Sequence, residues 1–185
     1  AAGIESDDFG FSVSLDRTGQ TLVIGAPNST VVDTAVKKQV GRERGKGKAA
    51  AGYVVVFTKG VSSDWTQMGN VMVGETGVQL GYSVSTSLAG NRIVAGAPNR
   101  AGGVGTAQVY QFDELEKEWE MAPIISSTAT GADTGFSVSM SSSGGQVSVG
   151  SPFLTECKNA GTGCEPGKVQ VFQDPAALDT SSLPI

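Results

Sequence analysis

The sequence FGFSVS at residues 9–14 returns as LGYSVS at residues 80–85 and as TGFSVS at residues 134–139. The three hexapeptides align without a gap, with the glycine, the valine and both serines at the same positions. In each of them large side chains alternate with serine, which is typical of a β-strand with one bulky face and one small face. The repeat therefore predicts three equivalent β-units in one chain.

Each unit continues into a second strand that stops at a proline. Pro27, Pro98 and Pro152 each lie seventeen residues after the repeat glycine, in the triplets GAP, GAP and GSP. Proline has no amide hydrogen and cannot extend strand pairing, so we expect the second strands to end there. The repeat glycines are 71 and 54 residues apart, and the longer period comes from the long loop after Pro27.

A third strand is predicted by an alternating run that starts with glycine and ends on an aromatic residue, namely GYVVVF (52–57), GTAQVY (105–110) and GKVQVF (167–172). A fourth, weaker strand is predicted near Trp65 and near Trp119. We expect both tryptophans to pack in the core between units rather than to serve as sugar platforms. Four-stranded units of this length are typical of propeller blades.

We therefore predict an all-β fold of β-propeller blades, with three four-stranded repeats at about residues 8–74, 79–128 and 133–173. In each first strand the large face would nest against the serine face of the next unit, which lets the sheets approach closely and places this strand innermost, where blades are most crowded. Residues 1–185 would form one partial propeller domain, with residues 174–185 as a C-terminal tail or linker. The tail could also add a strand to a neighbouring subunit.

Three blades cannot close a ring, since propellers typically use four to eight. An isolated chain would expose blade faces and a sheet edge. We expect further chain or a protein partner, including a second copy of this chain, to complete the propeller.

These motifs resemble the FG-GAP repeat family, whose best-known members form the propeller head of integrin α subunits. The chain is most similar to the calcium-free branch found in secreted and surface proteins of microbes. The resemblance covers roughly residues 8–173 and rests on the motif order, the seventeen-residue spacing, the third-strand pattern and the tryptophan that follows it. It implies an FG-GAP-type propeller that is extracellular or on the cell surface and acts in adhesion, ligand binding or assembly.

The chain departs from the calcium-binding branch of that family in its first hairpins. Calcium needs six to eight oxygen ligands, yet the hairpins at residues 15–20, 87–91 and 141–145 hold one carboxylate, that of Asp16. We therefore predict no calcium there, and no other metal or cofactor.

The sequence contains no histidine, which removes Ser-His and Cys-His catalysis and most zinc or iron sites. It offers no candidate triad, phosphate loop or metal cluster. We predict that the protein is not an enzyme; the alternative is an accessory domain beside a catalytic domain.

Net charge and hydropathy bear on partners and location. The net charge is −5, which disfavours nucleic acid and anionic membranes as partners. No run of eighteen apolar residues is present, so membrane insertion is not expected. The chain starts without a recognisable leader, and we interpret it as a processed product or a piece of a longer protein.

Three further features are candidate sites. Cys157 and Cys164 lie in one short loop and favour a disulfide in an extracellular setting, the alternative being a reduced pair without a role. Asn28 begins the sequon Asn-Ser-Thr and is a candidate for glycosylation. Six of the thirteen basic residues form a candidate partner-contact loop, with a solvated insertion as the alternative: Lys37, Lys38, Arg42, Arg44, Lys46 and Lys48.

Together these features favour a non-catalytic structural or interaction module in a surface assembly, matrix or fibre. The alternative is a ligand-binding adhesin or lectin-like propeller that recognises a glycan or a protein.

Overall fold

The computed structural model describes residues 7–30, 50–60, 64–98, 105–122, 125–126, 133–152 and 167–173. Within these ranges the chain forms three antiparallel sheets and no helix. The first sheet contains β1 (Ser12–Leu15), β2 (Thr21–Ala26), β3 (Tyr53–Lys59), β4 (Trp65–Gln67) and β5 (Met72–Val73). The second contains β6 (Ser83–Thr86), β7 (Arg92–Ala97), β8 (Thr106–Asp113), β9 (Glu118–Met121) and β10 (Ile125–Ser126). The third contains β11 (Ser137–Met140), β12 (Gln146–Ser151) and β13 (Lys168–Gln173).

The second strand of every sheet ends one residue before the proline of its triplet, as predicted. The fourth strand is also present in the first two sheets, but it is divided into two short pieces. In the first sheet β4 pairs with the C-terminal half of β3 and β5 pairs with its first two residues. Gly69, between these pieces, has a φ of +73°, a left-handed conformation that interrupts the strand. In the second sheet β9 and β10 divide their pairing with β8 in the same way.

The three sheets are stacked in chain order, with β1 against β6 and β6 against β11. Two apolar clusters fill the two interfaces. The cluster between the first and second sheets contains Val23, Val54, Val56, Met72, Leu80, Ile93, Ala95, Ala97, Tyr110, Phe112 and Trp119. The cluster between the second and third sheets contains Val94, Ala107, Val109, Met140, Val147 and Val149.

Bulky faces meet serine faces between the sheets, as the alternation in the sequence predicts, but in the opposite chain order to the one predicted. Val84, on the bulky face of β6, packs against the first cluster, and Val138, on the bulky face of β11, packs against the second. The serine face of each sheet thus receives the bulky face of the next one. The chain is an all-β protein of repeated antiparallel sheets, which is consistent with propeller-like blades.

In the described part of the chain, no helix of the length and hydropathy that a membrane span requires is found.

Candidate interaction surface

The sheets approach each other closely at one glycine in the second strand of the first sheet and of the second sheet. A Cβ atom on Gly25 would lie 2.1 Å from the carbonyl oxygen of Gly81, and one on Gly96 would lie 2.0 Å from that of Gly135. Atoms cannot be this close, so no side chain fits at either position. The glycine of the GAP triplet is therefore required where the next sheet's backbone passes over it.

Serine hydroxyls bind the same carbonyl groups. The Ser12 Oγ donates to the Gly81 oxygen at 2.7 Å, and the Ser83 Oγ donates to the Gly135 oxygen at 2.9 Å. The second serine of β6 also crosses the interface, since the Ser85 Oγ accepts a hydrogen bond of 3.0 Å from the Met140 amide. Three of the six serines that repeat in the sequence thus form hydrogen bonds between sheets: Ser12, Ser83 and Ser85.

The glycine that precedes each third strand completes this junction. A Cβ atom on Gly52 would lie 2.2 Å from the Leu80 carbonyl oxygen, and one on Gly105 would lie 2.3 Å from that of Thr134. Leu80 and Thr134 are themselves buried. We call residues 79–81 and 133–135 insertion loops, because each enters a pocket formed by the sheet before it.

The third sheet has the same pocket, and the described residues leave it open. The cavity has a volume of about 240 Å³ and is lined by Phe136, Ser137, Gly150, Ser151, Pro152, Gly167, Lys168 and Val169. Among the described residues, a Cβ atom on Gly150 would closely approach only Ser137, whose Oγ would lie 2.3 Å away. At Gly25 and Gly96, by contrast, a backbone carbonyl of the next sheet fills this space.

The valines beside this pocket show the same difference. Val169 and Val171 of β13 are 73% and 68% exposed. Their counterparts in the first sheet, Val54 and Val56, are both fully buried. The third sheet therefore presents an apolar face that the same repeat positions bury elsewhere in the molecule. We call this surface, together with the pocket, the socket face.

The first sheet presents the complementary face. Phe11, Val13 and Leu15 of the first repeat are 51%, 61% and 56% exposed, whereas Met140, the counterpart of Leu15, is buried. Phe11 also begins an aromatic row across the sheets, with its ring centroid 4.8 Å from that of Tyr82. The row continues from Tyr82 to Phe136 at 5.1 Å and reaches the edge of the socket face. We call the surface of Phe11, Val13 and Leu15 the plug face.

Trp65 and Trp119 differ in burial, and the prediction that both pack in the core between units was wrong for Trp65. Trp119 is buried as predicted: its indole Nε1 donates to the Met68 carbonyl oxygen at 2.9 Å, and its ring packs against Phe112. Trp65, its counterpart in the first sheet, is 40% exposed. Trp119 is covered by residues of the preceding sheet, and the described residues place no preceding sheet against the first one.

The predicted modification and contact sites have only partial structural descriptions. Asn28 is exposed; its Nδ2 donates to the Asp8 carboxylate, and its Oδ1 accepts a hydrogen bond of 3.1 Å from Gln79. Its glycosylation stays a prediction. Cys157, Cys164 and the basic loop from Lys37 to Lys48 lie outside the described residues.

Asp16 acts as an intramolecular hydrogen-bond acceptor in the first hairpin turn. Its carboxylate accepts hydrogen bonds from the Thr18 hydroxyl at 2.7 Å and from the amides of Gln20 and Thr21 at 2.8 and 3.1 Å. In the other two hairpins a serine hydroxyl accepts the matching amide hydrogen bond, at Ser87 and at Ser141. Among the described residues, no three acidic or sulfur-bearing side chains form a group that could hold a metal ion. The absence of calcium stays a prediction.

The Asp16 hydrogen bonds predict a pH-dependent contribution to stability. Burial raises the pKa of this carboxyl, but the hydrogen bonds outweigh it and lower the pKa below its ordinary value of 3.8. The folded state then binds fewer protons than the unfolded state, so the stabilisation is present above about pH 4 and is lost as the pH falls below it. We expect Asp16→Ser, which installs the residue of the other two hairpins, to lower the melting temperature above pH 4 only. A difference that stayed constant through acid unfolding would contradict this assignment.

The described residues thus define an all-β protein of repeated antiparallel sheets, in which the first sheet has an open plug face and the third sheet has an open socket face. No protein-family model and no curated protein sequence matches it. Among solved structures, the chain is similar to one described as "Structure of U3-55K", with 14% sequence identity and a TM-score of 0.44. The similarity covers 75% of this chain and 34% of that one, so the chain spans about a third of its length.

Sequence analysis predicted exposed blade faces that a partner covers, but it did not identify the residues that form them. The repeat positions of Val169, Gly150 and Phe11 could be aligned, but alignment alone treats all three repeats as equally buried. The structure distinguishes the three repeats by burial, because only the first and third sheets have an uncovered face among the described residues.

Proposed function

We propose that this protein is a non-catalytic structural module of an extracellular or cell-surface assembly, in which its terminal sheets join neighbouring propeller-type units. The observation that carries the proposal is the exposure of Val169 and Val171, at positions that are fully buried in the first sheet. Exposed apolar faces of this kind mark interaction surfaces. The three sheets are then blades of an incomplete FG-GAP-type propeller, and a protein partner completes it.

Several other features support an interaction role over a chemical one. The absence of histidine leaves few nucleophilic or metal-assisted mechanisms. The described residues that line the open pocket are phenylalanine, glycine, proline, serine and valine, together with Lys168, which is charged. Four of them have the same residue type at the equivalent positions of the other two interfaces, where a backbone loop binds: Ser137, Gly150, Pro152 and Gly167. The net charge of −5 argues against nucleic acid as the partner.

The function is tested by measuring how variants with a substituted plug face or socket face divide between the surface-bound fraction and the medium. In the source cells, V13K on the plug face and V171K on the socket face are expressed separately in place of the natural protein. We expect each to shift the protein from the surface-bound fraction to the medium by about tenfold, because a charge at a buried apolar contact is strongly unfavourable. L115K is the matched control, since Leu115 lies in the turn between β8 and β9 and is 91% exposed.

Retention of all three variants, with unchanged melting temperatures, would refute the structural role through these faces. Retention that depends instead on residues 31–50, and is competed by a soluble glycan, would establish the ligand-binding adhesin as the better description.

A further inference from the structure

The chain carries both halves of the junction that joins its own sheets. The loop at residues 8–10 precedes the first strand, as the two insertion loops precede theirs. Gly10 has a φ of +88°, and the corresponding glycines of the insertion loops, Gly81 and Gly135, have +87° and +88°. Asp8 has a φ of +56°, which matches +58° at its counterpart Gln79. The loop therefore already has the backbone shape of the segments that fill the two internal pockets.

Local hydrogen bonds hold this loop in place. The Gly10 amide donates to the Gly25 carbonyl oxygen at 3.1 Å, as the Gly81 amide does to that of Gly96. Asp7 is buried, and its carboxylate accepts hydrogen bonds from the Phe9 amide at 2.9 Å and from the Tyr53 hydroxyl at 2.8 Å. Burial, with this hydrogen bond and the nearby negative charge, raises the pKa of Tyr53, so the hydroxyl keeps its proton. A loop that is already ordered loses little entropy on binding.

We propose that the loop at residues 8–10 of one copy enters the open pocket of a second copy of this chain, head to tail. This rests on the proposed function and names the partner. The second copy would lay its plug face on the socket face of the first, as the second and third sheets do on the sheets before them. The Ser137 Oγ then donates to the Gly10 carbonyl, and the Ser139 Oγ accepts from the Leu15 amide.

The internal interfaces specify these two bonds. Ser12 and Ser83 each donate to the carbonyl of the next sheet's repeat glycine. The Ser85 Oγ accepts from the amide of Met140, whose counterpart in the first repeat is Leu15. The first of these bonds thus repeats one found at both internal interfaces, and the second repeats one found between the second and third sheets.

Charge also favours a second copy at this pocket. Lys168 lines the rim of the open pocket, where the internal pockets have the uncharged residues Tyr53 and Thr106. Asp8 on the loop is exposed and carries the opposite charge. A head-to-tail contact brings these two side chains to the same junction, which makes the association weaker at high salt.

The test is the native mass of the purified full chain at about 100 µM, well above the dissociation constant expected for a specific interface. We expect an integer multiple of 18.8 kDa greater than one. A head-to-tail contact forms closed rings or open chains, depending on the rotation between copies. Two socket variants, Gly150→Ala and V171K, and one plug variant, V13K, should each stay at 18.8 kDa, with association weakened by about 100-fold or more.

Gly150→Ala is the sharpest of these variants. Within the part of the single chain that the structure describes, its Cβ would closely approach only the rotatable Ser137 hydroxyl. In the assembly it would also meet a backbone carbonyl at the distance of 2.0 to 2.1 Å seen at the internal glycines. V171K provides an independent socket variant if Gly150→Ala perturbs the fold, since Val171 is already exposed. L115K should associate like the wild type.

A mixture of a socket variant and a plug variant tests whether the contact is head to tail. Gly150→Ala keeps an intact plug face, and V13K keeps an intact socket face, so mixing the two should form a complex of one copy of each. A wild-type chain that stays at 18.8 kDa overturns the proposal. Association that survives both socket variants, or a mixture that stays monomeric, overturns it as well. If the wild type is monomeric but V13K and V171K still leave the surface-bound fraction, the proposed function stands with a different protein partner.

Discussion

Replacing Gly96 with alanine is expected to lower the free energy of unfolding by about 3 kcal/mol, the upper part of the usual range for overpacking a tight site. The new Cβ would lie 2.0 Å from the Gly135 carbonyl oxygen and 2.3 Å from the Ser83 Oγ. The hydroxyl can rotate away, but the carbonyl belongs to the backbone of the third sheet. Relief therefore requires the second and third sheets to separate, which opens the apolar cluster between them. Urea unfolding of the monomeric protein measures this cost.

Gly150→Ala is the matched comparison in the third sheet. There, against the residues that the structure describes, the new Cβ has one close contact, with the Ser137 Oγ at 2.3 Å, which a rotamer change removes. We expect a cost of about 1 kcal/mol or less for the single chain. Equal costs at the two positions would mean that contact with the next sheet does not determine the requirement for glycine.

Replacing Trp119 with alanine is expected to cost about 3 to 5 kcal/mol, as for other large buried aromatic residues. The indole is 4% exposed, its centroid lies 5.2 Å from that of Phe112, and its Nε1 donates to the Met68 carbonyl oxygen. The substitution leaves a cavity between the first and second sheets and an unpaired carbonyl group. The free energy of unfolding of Trp119→Phe should lie between those of the wild type and Trp119→Ala, because phenylalanine restores most of the volume but not the hydrogen bond.

Trp65→Ala is the matched control, because Trp65 has the same position in the first sheet. At 40% exposure it should cost about 1 kcal/mol. Thermal or urea unfolding of the three variants gives the comparison. A large loss at Trp65 together with a small one at Trp119 would contradict the packing described here.

The strand positions could be predicted because they depend on local chemistry. Alternation of serine with larger residues marked β1, β6 and β11, and the absent amide hydrogen of proline marked the ends of β2, β7 and β12. The division of the fourth strand was not predictable in this way. In the first sheet it coincides with the left-handed backbone of Gly69, and a lone glycine in a weak strand pattern indicates a break only after the pairing partners are known. The fourth strand of the second sheet is divided without a glycine.

The candidate interaction surface was only partly predictable. Three blades cannot close a ring, so an uncovered sheet was expected from the repeat count alone. The residues that form it were not, because Val54 and Val169 have the same place in nearly the same local sequence. One is fully buried and the other is 73% exposed.

The sequence by itself determined which residues form strands, which face each side chain occupies and how the three repeats align. These properties follow from a period of two residues and from turn chemistry, both of which act over a few positions along the chain. Only the tertiary structure decided which of the equivalent positions are buried, where two backbones touch at glycine and which pocket stays open. Burial depends on whether another sheet lies over a face, and that neighbour is 50 or more residues away in the sequence or, as we propose, in a second chain.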